Sequence, residues 1–126
     1  MNQQDMANQM ATELSINSTG ASASVNGASL DCRDCGPEVH VVFIVGPNNP
    51  GNDTTIAWKL QSSPDDSTWT DWSGATGTSV SGDSTNDELL TFFNRNARYV
   101  RAVATLTGTS PTPDLHAFLA ARKVSY

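Results

Sequence analysis

This chain of 126 residues is short of charge. Only 16% of its residues are charged, and they include just three Glu and two Lys. Helical bundles draw heavily on Ala, Glu, Lys, Leu and Arg, so the shortage nearly excludes an all-α fold. Basic side chains are scarcer than acidic ones, 7 against 13, for a net charge of −6. A chain of that sign gains nothing from counterion release on a polyphosphate, which argues against a nucleic-acid partner. Long apolar runs are missing too, with Val41–Val45 among the longest. That is far short of the roughly 20 residues a spanning helix needs, so no membrane partner is expected. Met1–Met6 have neither the basic nor the apolar stretch of a secretory signal, and synthesis and folding are expected in the cytoplasm. Catalytic signatures are equally scarce: G-x-S-x-G, H-E-x-x-H and the phosphate-cradling P-loop are all missing. With so few Glu, a carboxylate pair for glycoside chemistry has little to draw on. An enzyme is disfavoured, and no cofactor or metal is expected.

What the chain does have is uncharged polarity: 28 Ser and Thr and 10 Asn. Its length suits one domain with one core, and the order of its residues is that of β-strands. Val39–Val45 is β-branched and nearly continuous, the pattern of a central strand buried on both faces. Residues 46–53 are the densest turn cluster and predict a loop. Ile56, Trp58 and Leu60 alternate with polar neighbours, giving a half-exposed strand. Ser63–Ser67 supplies Pro and Asp for a turn, so a hairpin closes onto the run holding Trp69 and Trp72. Residues 73–87 predict a long surface loop with at most one strand, followed by Leu89–Phe93. Val100, Ala102, Ala104 and Leu106 share one face of the next strand, and the turn at 108–113 predicts a second hairpin, onto Leu115–Val124. Seven or eight strands at roughly ten-residue spacing read as an all-β, antiparallel β-sandwich, jelly-roll-like.

The N-terminal part differs. Met6, Met10 and Leu14 recur at four-residue spacing among polar residues, a narrow stripe too weak to hold a helix alone. Residues 1–20 are therefore expected to form an arm that orders against something else, and residues 21–126 the single sandwich domain. Between Ser15 and Ser29, alternating Ile16, Ala21, Ala23 and Val25 predict one weak edge strand.

Three constellations have chemical readings. Cys32-Arg33-Asp34-Cys35 is a C-x-x-C. A zinc site would need two further ligands, and only His40 and His116 are left to supply them. A thioredoxin-type pair would open a helix, whereas this one precedes a strand; a structural role or a disulfide are the other readings. The acidic clusters Asp65-Asp66 and Asp83–Glu88 do not match calcium-loop spacing and are expected to cap turns. Of the three Trp, alternation puts Trp58 and Trp69 inside and leaves Trp72 for the surface, because two Trp three residues apart cannot share one strand face without a bulge.

Several stretches in this order carry a likeness: residues 25–31, Val39–Gly46, the run from Ala57 to Trp69 with its W-x-L-x-x-S and S-x-W, Arg98-Tyr99-Val100-Arg101, and Gly108–Pro111. Over about residues 22–122 the chain resembles the capsid cement, or head decoration, proteins of tailed bacteriophages. It departs from them at Cys32 and Cys35 and in the stretch 73–87. The resemblance implies a jelly-roll-like sandwich that docks, without chemistry, on the outer surface of a virion and bridges copies of the major capsid protein. It also implies a homotrimer. Capsid contact is expected from Met6, Met10, Leu14 and Ile16, and self-association from the faces near Trp72 and Tyr99. On that reading, removing residues 1–14 abolishes capsid binding and leaves the domain folded. The alternative from another class is a carbohydrate-binding sandwich of a phage tail or adsorption apparatus, with Trp72 as its stacking platform.

Overall fold

Period-two alternation runs through the chain from Met10 to Arg122 and sets the architecture. In a computed structural model, residues 9–46, 53–81, 84–109 and 111–124 are described. They form nine strands: β1 (Met10–Ser18), β2 (Val25–Asp31), β3 (Val39–Val45), β4 (Thr55–Ser63), β5 (Thr70–Thr76), β6 (Val80–Ser81), β7 (Asn86–Phe92), β8 (Tyr99–Thr107) and β9 (Leu115–Arg122). Every pairing between them is antiparallel. One sheet has the order β1-β9-β3-β7 and the other β2-β8-β4-β5, with the short β6 added beside β4. Leaving β6 aside, this is the eight-strand, double-sheet order of a jelly roll.

The core lies between the sheets. Val39, Val41, Phe43 and Val45 of β3 and Leu115, Ala117, Leu119 and Ala121 of β9 face inward from one sheet. Ile56, Trp58 and Leu60 of β4 and Val100, Ala102 and Ala104 of β8 meet them from the other. At the centre the Phe43 and Trp58 rings stack across the sandwich, centroids 4.6 Å apart and 15° from parallel. Each ring has an alanine as its neighbour in its own sheet, Ala117 beside Phe43 and Ala104 beside Trp58. Small beside large lets two bulky rings interdigitate without a void.

Several expectations are corrected by this arrangement. The segment Met10–Ser18, expected within an arm, is a strand paired along its length with β9. Its four-residue apolar spacing is overridden by a ladder that satisfies its backbone. The register shifts between Leu14 and Ile16, so that Ser15 and Ile16 are both buried. The second hairpin does not form: β8 and β9 lie in opposite sheets. Pro111 and Pro113 between them have no N–H for a ladder, and the linking segment instead crosses the sandwich, where the Pro113 carbonyl accepts from Ala21 N at 2.8 Å. The predicted loop 73–87 holds the end of β5, all of β6 and the start of β7. In β3 the core-facing set is buried, but His40, Val42 and Ile44 on the other face are only half-buried.

The tryptophans are the reverse of the expectation for two of three. Trp58 is buried, as alternation required, and so is Trp72 at 7% exposure, whereas Trp69 is half-buried on the surface. Alternation keeps the two on opposite faces, and the register decides which: Asp71 pairs with Gln61 on the outer face, so Trp69, two residues earlier, faces out and Trp72 faces in. A bulge follows. Between the pairs Lys59–Thr76 and Gln61–Asp71, β5 places four residues opposite one, with Gly74 at φ +83° absorbing the excess. Trp72 and Ala75, three apart, thereby both face inward, and Trp72 packs edgewise on Phe92 at 6.1 Å.

Candidate functional site

Strands of the four-stranded sheet that send one side-chain set into the core leave the alternate set outside. On β3 that outer set is His40, Val42 and Ile44; on β9 it is His116, Phe118, Ala120 and Arg122. The register places Val42 opposite Phe118 on one side and Leu89 on the other, and Phe118 opposite Leu14. Directly opposed residues share a face. An unbroken apolar row, Leu14–Phe118–Val42–Leu89, therefore crosses all four strands on the outside of the sandwich. It is open to solvent, with Leu89 73%, Phe118 47% and Leu14 38% exposed.

Flanking rows extend it. Ile44 lies between His116 and Asp87 on one side, and Ala120 between Thr12 and His40 on the other. His40 Nδ1 and Thr91 Oγ1 share a hydrogen bond of 2.8 Å. A shallow depression lined by Thr12, Leu14, Phe118 and Ala120 marks the β1–β9 side. Of the charges among the described residues, Asp87 stands beside Ile44, Arg122 opposite Met10, and Glu13 at the β1 side of the depression. A charge-poor apolar centre with a polar rim is the composition of a protein interface. Beside Leu89, β7 is the last strand of its sheet among the described residues, paired there on one side only.

The opposite outer face differs in kind. On the five-stranded sheet, Arg101 donates to Gln61 Oε1 from Nε at 3.0 Å and from Nη2 at 2.7 Å, and Gln61 Nε2 donates to Asp71 Oδ1 at 2.9 Å. Lys59 closes the set with an ion pair to Asp71 at 3.0 Å. The Arg101 guanidinium also lies over the Trp69 ring, 4.4 Å from its centroid. The hydrogen bond from Gln61, then Lys59, holds the Asp71 carboxyl below the usual carboxylate range. The polar groups of that face are thus bonded to one another, and the face of Trp69 that Arg101 covers is closed to a stacking ligand.

Residues expected to carry function separate accordingly. Leu14 stands in the apolar row, and Met10, half-buried, lies at the end of the same face. Ile16 is 1% exposed and belongs to the core, where no partner reaches it. Met6 lies outside the described residues. Trp72 is buried and unavailable for self-association or sugar stacking. Tyr99, half-buried on β8 in the other sheet, has the Arg98 guanidinium 4.8 Å above its ring. Asp65 caps its own turn, accepting from Ser67 N at 3.0 Å and Thr68 N at 2.8 Å. Val42, Leu89 and Phe118 were not singled out from the sequence. The available signal was an apolar residue on the wrong side of the alternation: Phe118 stands among His116, Ala120 and Arg122, and Val42 between His40 and Ile44.

No protein-family profile and no curated protein matches this sequence. Solved structures with a similar fold do exist. One is dimeric latent PorU from Porphyromonas gingivalis, at TM-score 0.53 and 12% identity; the match covers 94% of this chain and only 13% of that one. Others are a Bacillus endospore appendage protein, from a family of disulfide-linked pili (TM-score 0.48, 13% identity, 93% of this chain and 90% of that one), and Eiger TNF from S. frugiperda (TM-score 0.45, 9% identity, 93% of each). At these identities the likeness is one of fold.

Proposed function

We propose that this protein is a non-enzymatic viral structural protein: a cement protein that adheres to the outer surface of a tailed-phage capsid and bridges neighbouring major capsid proteins. The observation that carries the reading is the apolar row Leu14–Phe118–Val42–Leu89, open to solvent on one face of a sandwich whose other face is polar and internally bonded. The largest contiguous apolar surface on a protein is often a docking site. The capsid is named as its occupant because the sequence order resembles head decoration proteins. A shell also presents the same shallow surface many times, so modest contacts multiply when copies are joined, as in the homotrimer that the resemblance implies. The contact set is accordingly moved from the arm to the sheet face, keeping Leu14 and Met10 and adding Phe118, Val42 and Leu89. Deleting residues 1–14 no longer serves as a test, since it removes half of a paired strand. The carbohydrate-binding alternative loses its platform with the burial of Trp72.

The test adds purified protein to expanded phage capsids that lack a decoration layer. The wild type should co-sediment with them and raise their thermal tolerance. Leu89→Lys and Phe118→Lys, each at an exposed position, should keep the folded circular dichroism spectrum and lose capsid binding at least tenfold. Undiminished binding by both variants overturns the assignment of the face. No binding by the wild type, with specific signal on a glycan array, favours the alternative.

A further inference from the structure

The C-x-x-C pair has no part in the apolar face, yet its geometry is specific. Cys32 follows β2, and Cys35 forms an isolated bridge with Lys123 just past β9, so the turn between them joins the two sheets at one end of the sandwich. Cys35 N donates to Cys32 O at 3.1 Å, the hydrogen bond of a four-residue turn with cysteine at its first and last positions. Such a turn holds those Cα atoms within about 7 Å, and disulfides span about 4.4–6.8 Å. The two thiols are near enough to act on one another's ionisation. Backbone contacts fix the turn: Cys32 N donates to Arg98 O at 2.7 Å, Gly36 N to Arg122 O at 3.0 Å, and Val124 N to Asp34 O at 2.7 Å. The Arg95 guanidinium ties it further, donating from Nη2 to Cys35 O at 2.9 Å and Gly36 O at 3.1 Å. Among the described residues no group of three or more His, Cys, Asp or Glu could hold a metal ion.

The geometry points to Cys32 and Cys35 as an intramolecular disulfide site, closed by exchange with a small-molecule disulfide once the protein leaves a reducing compartment. Cys35 is the attacking residue, being half-exposed whereas Cys32 is fully buried. Burial raises both thiols, Cys32 up to about 12 and Cys35 as well; the influence of each on the other raises Cys32 further and works against the rise at Cys35, so the more exposed Cys35 is the easier to ionise. The Cys35 thiolate attacks one sulfur of the small disulfide; that S–S bond breaks and a first small thiolate leaves. Cys32 then gives its proton to solvent and attacks the Cys35 sulfur, and the second small thiolate leaves. Two protein thiols are oxidised to one disulfide, and one small disulfide is reduced to two thiols. The new bond closes the turn by which the chain passes from β2 to β3, the turn that hydrogen-bonds to Arg98 and Arg122 at the ends of β8 and β9.

The inference is independent of capsid binding and is tested on the full chain, folded, with glutathione disulfide as oxidant. Expected are the loss of both titratable thiols, an intact mass lower by about 2 Da with no adduct, and a thermal midpoint about 5 °C above the reduced protein. Cys32→Ser should instead hold a stable glutathionyl adduct on Cys35, and Cys35→Ser should stay unmodified under the same conditions. A wild type that keeps both thiols, stops at the adduct or forms covalent dimers overturns the proposal. So does a disulfide that leaves the midpoint unchanged or lower, since the staple would then restrain nothing.

Discussion

Ser15 is the residue at which the two sheets are joined by a single hydroxyl, and its removal is predicted to cost more than any serine of this polar chain would by default. It is the extra residue of the β1 bulge and is 5% exposed. Its Oγ donates to Ala28 O at 2.7 Å and accepts from Ala102 N at 3.0 Å. These two backbone groups lie where the β2–β8 ladder is broken, between Asn26 and Ser29, so the hydroxyl fills a gap that no strand fills. In Ser15→Ala the Ala102 N–H is left buried and unpaired, at a cost of about 1–3 kcal/mol. Ala28 is exposed, and its carbonyl regains water at little cost. A net loss of about 2 kcal/mol follows. Unfolding entropy of about 2.1 cal/mol/K per residue, taken over 126 residues, is about 0.26 kcal/mol/K, so the midpoint should fall by about 8 °C. Thermal unfolding followed by circular dichroism measures this, with urea unfolding to verify that the slope is unchanged and only the midpoint moves. Ser22→Ala, at an exposed position, is the control and should shift by less than about 2 °C. A Ser15→Ala midpoint within about 2 °C of wild type would refute the reasoning, because a water would then have to replace the hydroxyl between the sheets.

Two further perturbations test neighbouring parts of the same argument. A Cβ at Gly27 would stand 2.2 Å from Ser15 Oγ, 2.7 Å from Ser15 O and 2.9 Å from Ala102 O; two of these are backbone atoms that cannot swing away, so Gly27→Ala should lower the unfolding free energy measured in urea by about 1–3 kcal/mol. Asp31 accepts from Arg98 Nε at 2.9 Å and Nη2 at 2.8 Å, and this pairing lowers its pKa to about 2. A carboxyl depressed on folding contributes stability above its unfolded pKa, near 4, and loses it as pH falls toward 2. The acid limb of a stability–pH curve should therefore be shallower in Asp31→Asn between pH 4 and 2, while at pH 7 the loss stays under about 1 kcal/mol because the pair is exposed. An unchanged acid limb would show that the pair is broken in solution.

The local pattern determined a good deal unaided. β-Branched residues and alternation locate β3, β4, β8 and β9, and they put Trp58, Leu60, Val100 and Ala102 in the core, because the two-residue period of a strand is written in adjacent residues. Low charge and scarce Glu and Lys excluded the helical classes for a reason equally local. What the tertiary structure alone decided is everything that depends on which strand lies beside which. Whether β8 and β9 form a hairpin or cross between sheets turns on long-range pairing, and the turn residues of both outcomes look alike. The exchange of Trp69 and Trp72 turns on register: alternation keeps them on opposite faces without saying which is inside, and only the pairing of Asp71 with Gln61 sets Trp69 outside. Met10–Leu14 becomes a strand because β9 offers it an open edge, a partner about a hundred residues away that its own spacing cannot announce. The same holds for the candidate site. Val39–Val45 is apolar on both faces and reads as doubly buried, yet the described residues cover only one of them. Leu14, Val42, Leu89 and Phe118 come from four separate strands, and only the register sets them in a row.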